Sequence, residues 1–264
     1  MMPARILVAS LLVASSSRPA AASPSGGASP PAPAPQPHRV RSLAELIDQK
    51  EPGISLVRRW IHDAKNPVKE LKGTRAAGER ALLALQVTSG SPMGAIALET
   101  GGLLIDHGWV RVLGGGSAEL PRTIPEWNGI AEPGSPSRRL PGTVVVADDV
   151  IGGFFAVNGG GLKGERGHVF YHAPETLEWT DVAPSYSEWL WGMLTGDLEK
   201  FYEGLRWPGW QKTVESLKGD RGLVVYPFLF EGTNGGSNAS RKPVPITELW
   251  TLYVEEAPRQ LKRK

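Results

Sequence analysis

Along this chain the apolar positions keep helical spacing at both ends and gather into short, glycine-punctuated runs between them. Ser42 followed by Glu45 forms a capping box ahead of "LAELIDQ", with Leu43, Leu46 and Ile47 on one face, which predicts a short amphipathic helix. Pro52 suits a first helical position, and Ile54, Val57, Trp60 and Ile61 hold the period until Asn66-Pro67 stops the run. A third helix is predicted over "RAAGERALLALQ". After Pro92 the pattern shifts to "GAIALET", "GLLID" and "WVRVLGGG", read as strands of an antiparallel meander broken at Gly101-Gly102 and Asp106-His107-Gly108. "RTIPEWNG" reads as one helical turn and "AEPGSPSRRLPG" as a loop. Strands resume at "TVVVAD", "GGFFAVN", "HVFYHA" and "LEWTDV", with Pro174 and Thr176 in a hairpin turn.

Helices return at "SYSEWLWGML", "GDLEKFYEGL" and "WPGWQKTVESLKGD". A strand "GLVVYPFLF", a polar loop "EGTNGGSNASRK" and a helix around "ITELWTLYVEE" complete the pattern. Helices, then strands, then helices predict one α+β domain over residues 39–256. Its sheet is mostly antiparallel, a meander plus hairpins packed with N- and C-terminal helices.

The ends of the chain read differently. "MMPARILVASLLVASSSRPAAA" offers Arg5, an apolar stretch from Ile6 to Ala14 and small residues at 20–22, the layout of a secretory signal peptide over residues 1–22. The apolar stretch is too short to span a bilayer, which needs about 20 residues. Residues 23–38 are a Pro/Ala/Ser-rich linker, and 257–264 a basic tail. The expected location is exported or periplasmic, with no membrane span once the leader is removed; a misassigned start codon would instead make the protein cytoplasmic.

Composition narrows the chemistry further. Cysteine is absent, which removes disulfides and thiol catalysis together. The formal charge is +2, and loss of Arg5 and Arg18 with the leader brings it to zero. No basic stripe with interleaved aromatics runs through the body, so nucleic acid is not an expected partner.

The candidate chemistry is sparse. Asp148 and Asp149 are the strongest suspects for acid/base work, yet adjacent strand residues point to opposite faces, and Asp is a common turn residue. Asp106 and His107 sit in one turn with no serine elbow to complete a triad. His168 and His172 lie roughly 13 Å apart along a strand, too far to share a metal. The glycines at 114–116 and 159–161 lack the continuations of phosphate loops, so no cofactor is expected. Among the nine tryptophans, Trp189 and Trp191 stand about 200° apart on their helix. With Tyr186, Leu190, Met193 and Leu194 setting the buried side, Trp191 is either exposed or covered by the following helix.

The motifs "SPMGAIALETGGLLIDHGWVRVLGGG", "PEWN", "VVVADDVIGGFFAVNGG", "VFYHAPETLEW", "LTGDLEKFYEGLRWPGW" and "YPFL" closely resemble the bacterial family known as domain of unknown function 2625, from about Ser42 to Leu252. Residues 142–194 also resemble the core of the SUKH superfamily: a strand ending in an acidic turn, a hairpin, then an amphipathic helix opening with Ser and an aromatic. That second resemblance implies a SUKH-like core and a protein-binding or immunity role, with a toxin or envelope component as partner. The expected contact residues are Asp148, Asp149, Asn158, Glu178 and Trp191. Enzymatic activity stays open: the alternative is an exported hydrolase using Asp148, Asp149 or Glu178 with aromatic substrate contacts. A structural envelope protein anchored through the linker is a third reading.

Overall fold

The computed structural model describes residues 39–232 and 239–261. The expected signal peptide, the linker up to residue 38, residues 233–238 of the polar loop and the last three residues of the basic tail lie outside that range. The centre of the fold is one antiparallel sheet of seven strands whose spatial order is their sequence order. The strands are β1 (Val68–Leu71), β2 (Gly102–Ile105), β3 (Val110–Leu113), β4 (Thr143–Asp149), β5 (Phe154–Asn158), β6 (Val169–His172) and β7 (Trp179–Ala183). A separate hairpin pairs β8 (Arg221–Tyr226) with β9 (Ser240–Pro245).

Helices cover both faces. On one face Val110, Phe155 and Tyr171 pack against α2 (Gly53–His62), α6 (Tyr186–Thr195), α7 (Leu198–Phe201) and α8 (Trp210–Glu215). On the other, Leu113, Phe154 and Ala156 pack against α3 (Arg75–Leu85), α5 (Ile124–Asn128) and α9 (Ile246–Trp250). Burying both faces explains why the strands read as near-continuous Val/Phe/Ala runs rather than a strict alternation. The α+β class and the antiparallel meander are therefore as expected.

Several elements differ from the reading of the sequence. "GAIALET" is not a strand: Pro92–Glu99 forms helix α4, capped by Ser91, whose hydroxyl accepts from the Gly94 amide at 3.1 Å. Five consecutive residues of α4, Gly94 to Leu98, are buried. A helix enclosed on all sides has no polar face, so its apolar run imitates a core strand. β1 and β9 were not expected, because "VKEL" is short and half polar, and "SRKPVP" carries two prolines. Pro52 is the N-cap of α2 rather than its first residue. The C-terminal helix runs on from α9 through a π-helical turn at Thr251–Glu256 into α10 (Ala257–Leu261), so part of the expected tail is helical, with Ala257 buried. Among the described residues no helix is long and apolar enough to cross a membrane.

Two glycines mark opposite packing situations. A Cβ on Gly78 of α3 would lie 1.9 Å from the Leu98 carbonyl oxygen of α4, so the two helices touch backbone to backbone there. Gly192, inside α6, has no atom within 4 Å of where its Cβ would be. We expect Gly78→Ala to destabilise by about 1–3 kcal/mol through overpacking. Gly192→Ala should gain up to about 1 kcal/mol from helix propensity. Urea denaturation of the two variants against wild type checks both; equal midpoints would contradict the helix contact.

Candidate functional site

The two adjacent aspartates end β4 and, as the alternation of a strand requires, serve different faces. Asp148 stands in register with Arg111 of β3. Arg111 Nε donates to Asp148 Oδ1 at 2.7 Å, and Arg122 Nη1 donates to Oδ2 at 2.5 Å. Asp148 is 0% exposed, Arg111 3% and Arg122 7%. The same guanidiniums reach the start of β8: Arg122 donates twice to the Gly219 carbonyl just before it, at 3.1 and 2.8 Å, and Arg111 to that of Arg221, its first residue. Burial pushes the Arg111 guanidinium below its ordinary value, against the pull of Asp148. One carboxylate thus binds two cations and, through them, the start of the β8–β9 hairpin.

Asp149 faces the other way. Its Oδ1 accepts from the amides of Ile151 at 3.0 Å and Gly153 at 2.8 Å, which fixes the turn into β5. Its Oδ2 accepts from the Tyr171 hydroxyl of β6 at 2.7 Å. A Cβ on Gly153 would meet both Asp149 Oδ2 and the Tyr171 oxygen, so glycine is required for that bond. Burial raises the Asp149 pKa, with those three donors opposing it.

Glu175, in the β6–β7 turn, feels the charge of this carboxyl, while His172 at the end of β6 lies edge-on to Trp179. Burial, aided by the charge of Asp149, raises the Glu175 carboxyl to about 7, and its Oε2 has no partner among the described residues. Burial lowers His172 to about 4. Asn158 is likewise 0% exposed: its Nδ2 donates to the carbonyls of Leu162, Gly164 and Glu165, and its Oδ1 accepts from Gly160 and Leu162. This stitches the glycine-rich loop shut. Burial therefore removes Asp148, Asp149 and Asn158 from the surface a partner can touch, contrary to the expectation for them. Glu178 is exposed in the turn before β7, whereas the aspartates are buried on separate partners, Asp148 on Arg111 and Arg122 and Asp149 on Tyr171.

Asp106 and His107 part company too. Both hold left-handed backbone angles, φ 52° and 59°, unusual for non-glycine residues. Asp106 binds Arg206 at 2.5 Å, whose guanidinium lies over Trp210 at 4.3 Å and Trp109 at 4.9 Å. His107 Nδ1 instead lies 2.6 Å from Glu215 Oε1 of α8, 108 residues away. Their pair stands at a cleft of about 430 Å³, with Leu104, Val150 and Val214 in its walls and Arg111 lining it. Arg111 spends its donors on the bonds above, so we assign the cleft no role.

The remaining candidates lie on α6 and β7. Trp191 is 41% exposed and leans on Trp60 of α2 at 6.0 Å, not under the helix that follows it. Phe201, at the end of α7, is 36% exposed. A groove of about 200 Å³ runs between β7, α6 and α7, lined by Val182, Ala183, Gly192, Met193 and Phe201, with Glu188 and Asp197 as its charged residues. Phe201 and Gly192 were missed in the sequence, where the only signal was a glycine inside a helical run.

Comparison with known proteins places these features in a wider set. The family model described as "Protein of unknown function DUF2625" matches residues 43–249. An uncharacterized protein of Haemophilus influenzae is 40% identical over 190 residues, covering 72% of this chain and 83% of its own. The putative uncharacterized protein YbfG of Escherichia coli K12 is 38% identical over 216 residues, covering 82% and 97%.

Asp148→Asn leaves two buried guanidiniums without a counter-charge and is expected to cost about 3–5 kcal/mol, measured by chemical denaturation. Glu175 predicts a pH dependence. Its folded value of about 7 exceeds the ordinary 4.5, so its neutral form is favoured on folding; stability is lost as pH rises from about 4.5 through 7. Calorimetry of Glu175→Gln should match wild type near pH 4 and show a higher Tm near pH 8. A constant Tm difference across that window would contradict the burial of an ionising Glu175.

Proposed function

This chain belongs to the DUF2625 family, and from that premise we propose that it is an exported, immunity-like binding protein that docks another protein on its α6–β7 face. The observation that carries the reading is the exposure of two large aromatics, Trp191 on α6 beside Trp60 and Phe201 in the groove. Large aromatics left in water cost hydration free energy, and such residues are enriched where a partner covers them. Glu178 is exposed just before β7. A toxin or envelope component is the partner class that export and the SUKH-like order of residues 142–194 suggest. Asp149 supports the face from within: it holds Tyr171, on which Phe201 packs at 5.3 Å. A hydrolase acting through Asp148, Asp149 or Glu178 gains no support, since these carboxyls face apart.

The test is site-specific photocrosslinking of the full chain in its native envelope extract. Benzoylphenylalanine at position 191 or 201 should give one shared adduct, absent when it replaces exposed Thr247 of α9 on the opposite layer. Equal labelling at 191, 201 and 247 would overturn the docking face. N-terminal sequencing of the mature protein should begin near Ser23; an intact Met1 would overturn export.

A further inference from the structure

The two edges of the large sheet are guarded unequally. β1 is preceded by Pro67 and presents Lys69, bound to Glu119 at 2.5 Å, and Glu70, bound to Arg58 at 2.8 Å. Charged side chains tied across an edge, with a proline before it, are the usual means of preventing another strand from adding. β7 has a weaker guard. Trp179–Ala183 contains no lysine and a single charged residue, Asp181, engaged by His168 of the neighbouring chain segment at 2.7 Å; the proline beside it, Pro184, comes only after its last residue. Among the described residues, no strand pairs with the outer side of β7.

Beside this open edge lies the groove. Its floor is apolar, from Val182, Ala183, Met193 and Leu198. Its two charged residues are both carboxylates, Glu188 and Asp197. Each is used on one oxygen only by a local cap: Glu188 Oε2 accepts from the Ser185 hydroxyl at 3.0 Å, and Asp197 Oδ1 from the Lys200 amide at 3.0 Å. The other oxygen of each makes no hydrogen bond among the described residues. Phe201 offers a partly exposed ring in the same groove. Gly192 adds a second signal. It sits mid-helix with open space where a Cβ would stand, at a cost of about 1 kcal/mol relative to alanine, and the space it leaves is groove.

We propose that this groove receives an arginine or lysine side chain from an extended segment of the partner that adds to the outer edge of β7. The inference rests on the docking face proposed above and names its mode. The aliphatic stem of such a side chain lies on Val182, Ala183 and Met193, while its head reaches Glu188 or Asp197 and the face of Phe201. The partner's backbone supplies the affinity by pairing with β7, and the basic side chain supplies the selectivity, the division usual for strand addition. A purely apolar side chain would fill the floor and leave both carboxylates uncompensated by the partner.

The probe is a capped nine-residue peptide of threonine and valine with a central arginine, compared with central norleucine and central glutamate. Titrations of the full chain followed by NMR should give at least about tenfold tighter binding for arginine than for norleucine, and weaker binding still for glutamate. Glu188→Gln and Asp197→Asn should each reduce that preference by about threefold or more. Gly192→Leu should abolish binding, with Gly192→Ala as the folded control that retains the arginine preference. Amide exchange across Thr180–Val182 should slow when the arginine peptide is bound. Equal affinity for arginine and norleucine would overturn the basic occupant, and unchanged exchange in β7 would overturn strand addition. If the crosslinks at 191 and 201 form while the peptide results fail, the docking face stands and this mode of docking falls; if the crosslinks fail as well, both fall.

Discussion

Asp148 and its two arginines are the constraint on which the rest of this fold is arranged. An ionised carboxylate at 0% exposure is tolerable only with its charge met and its lone pairs filled, and Arg111 and Arg122 do both. Neither guanidinium is local to Asp148: they lie 37 and 26 residues away in sequence, on β3 and on the segment before α5. Each then spends further donors on carbonyls at 219 or 221, where the small hairpin begins. Three distant parts of the chain are thereby fixed relative to one strand end. Apolar packing alone would leave them free to slide, whereas directional bonds to one carboxylate set a register.

With Asp148 committed to one face, its neighbour is free to organise the other. Asp149 shapes the turn into β5 and holds Tyr171, on which Phe201 rests. A pair of residues that looks like chemistry in the sequence is thus an internal joint, and the aromatic surface proposed for docking lies over it. Burial tunes two titratable groups of this end of the sheet: Glu175 and His172 both move toward neutrality, one upward and one downward.

How much of this was readable in advance depends on whether the signal was local. Capping boxes, Gly/Asp turns and β-branched runs located most helices and six of the central strands because each is decided by neighbours in sequence. The strand period placed Asp148 and Asp149 on opposite faces, and the helical wheel separated Trp191 from Trp189. Burial of the aspartates was not readable, because it depends on arginines brought in from other elements. Helix α4 has the pattern of a strand because full enclosure erases the polar face on which periodicity relies. β1 and β9 stayed hidden because a short, polar or proline-bearing strand is stabilised by its partner rather than by its own pattern. The groove was invisible for the same reason: it exists only where α6, α7 and β7 meet.

The strand order of the sheet, β1 through β7 without a crossover, carries a consequence for how the chain assembles. Every pairing joins consecutive strands, so the sheet can grow by adding each strand to the margin left by the last, without a crossover. Growth of that kind has a terminus, and here the terminus is β7. The surface proposed to accept a foreign strand is therefore the site where the chain's own templating stopped.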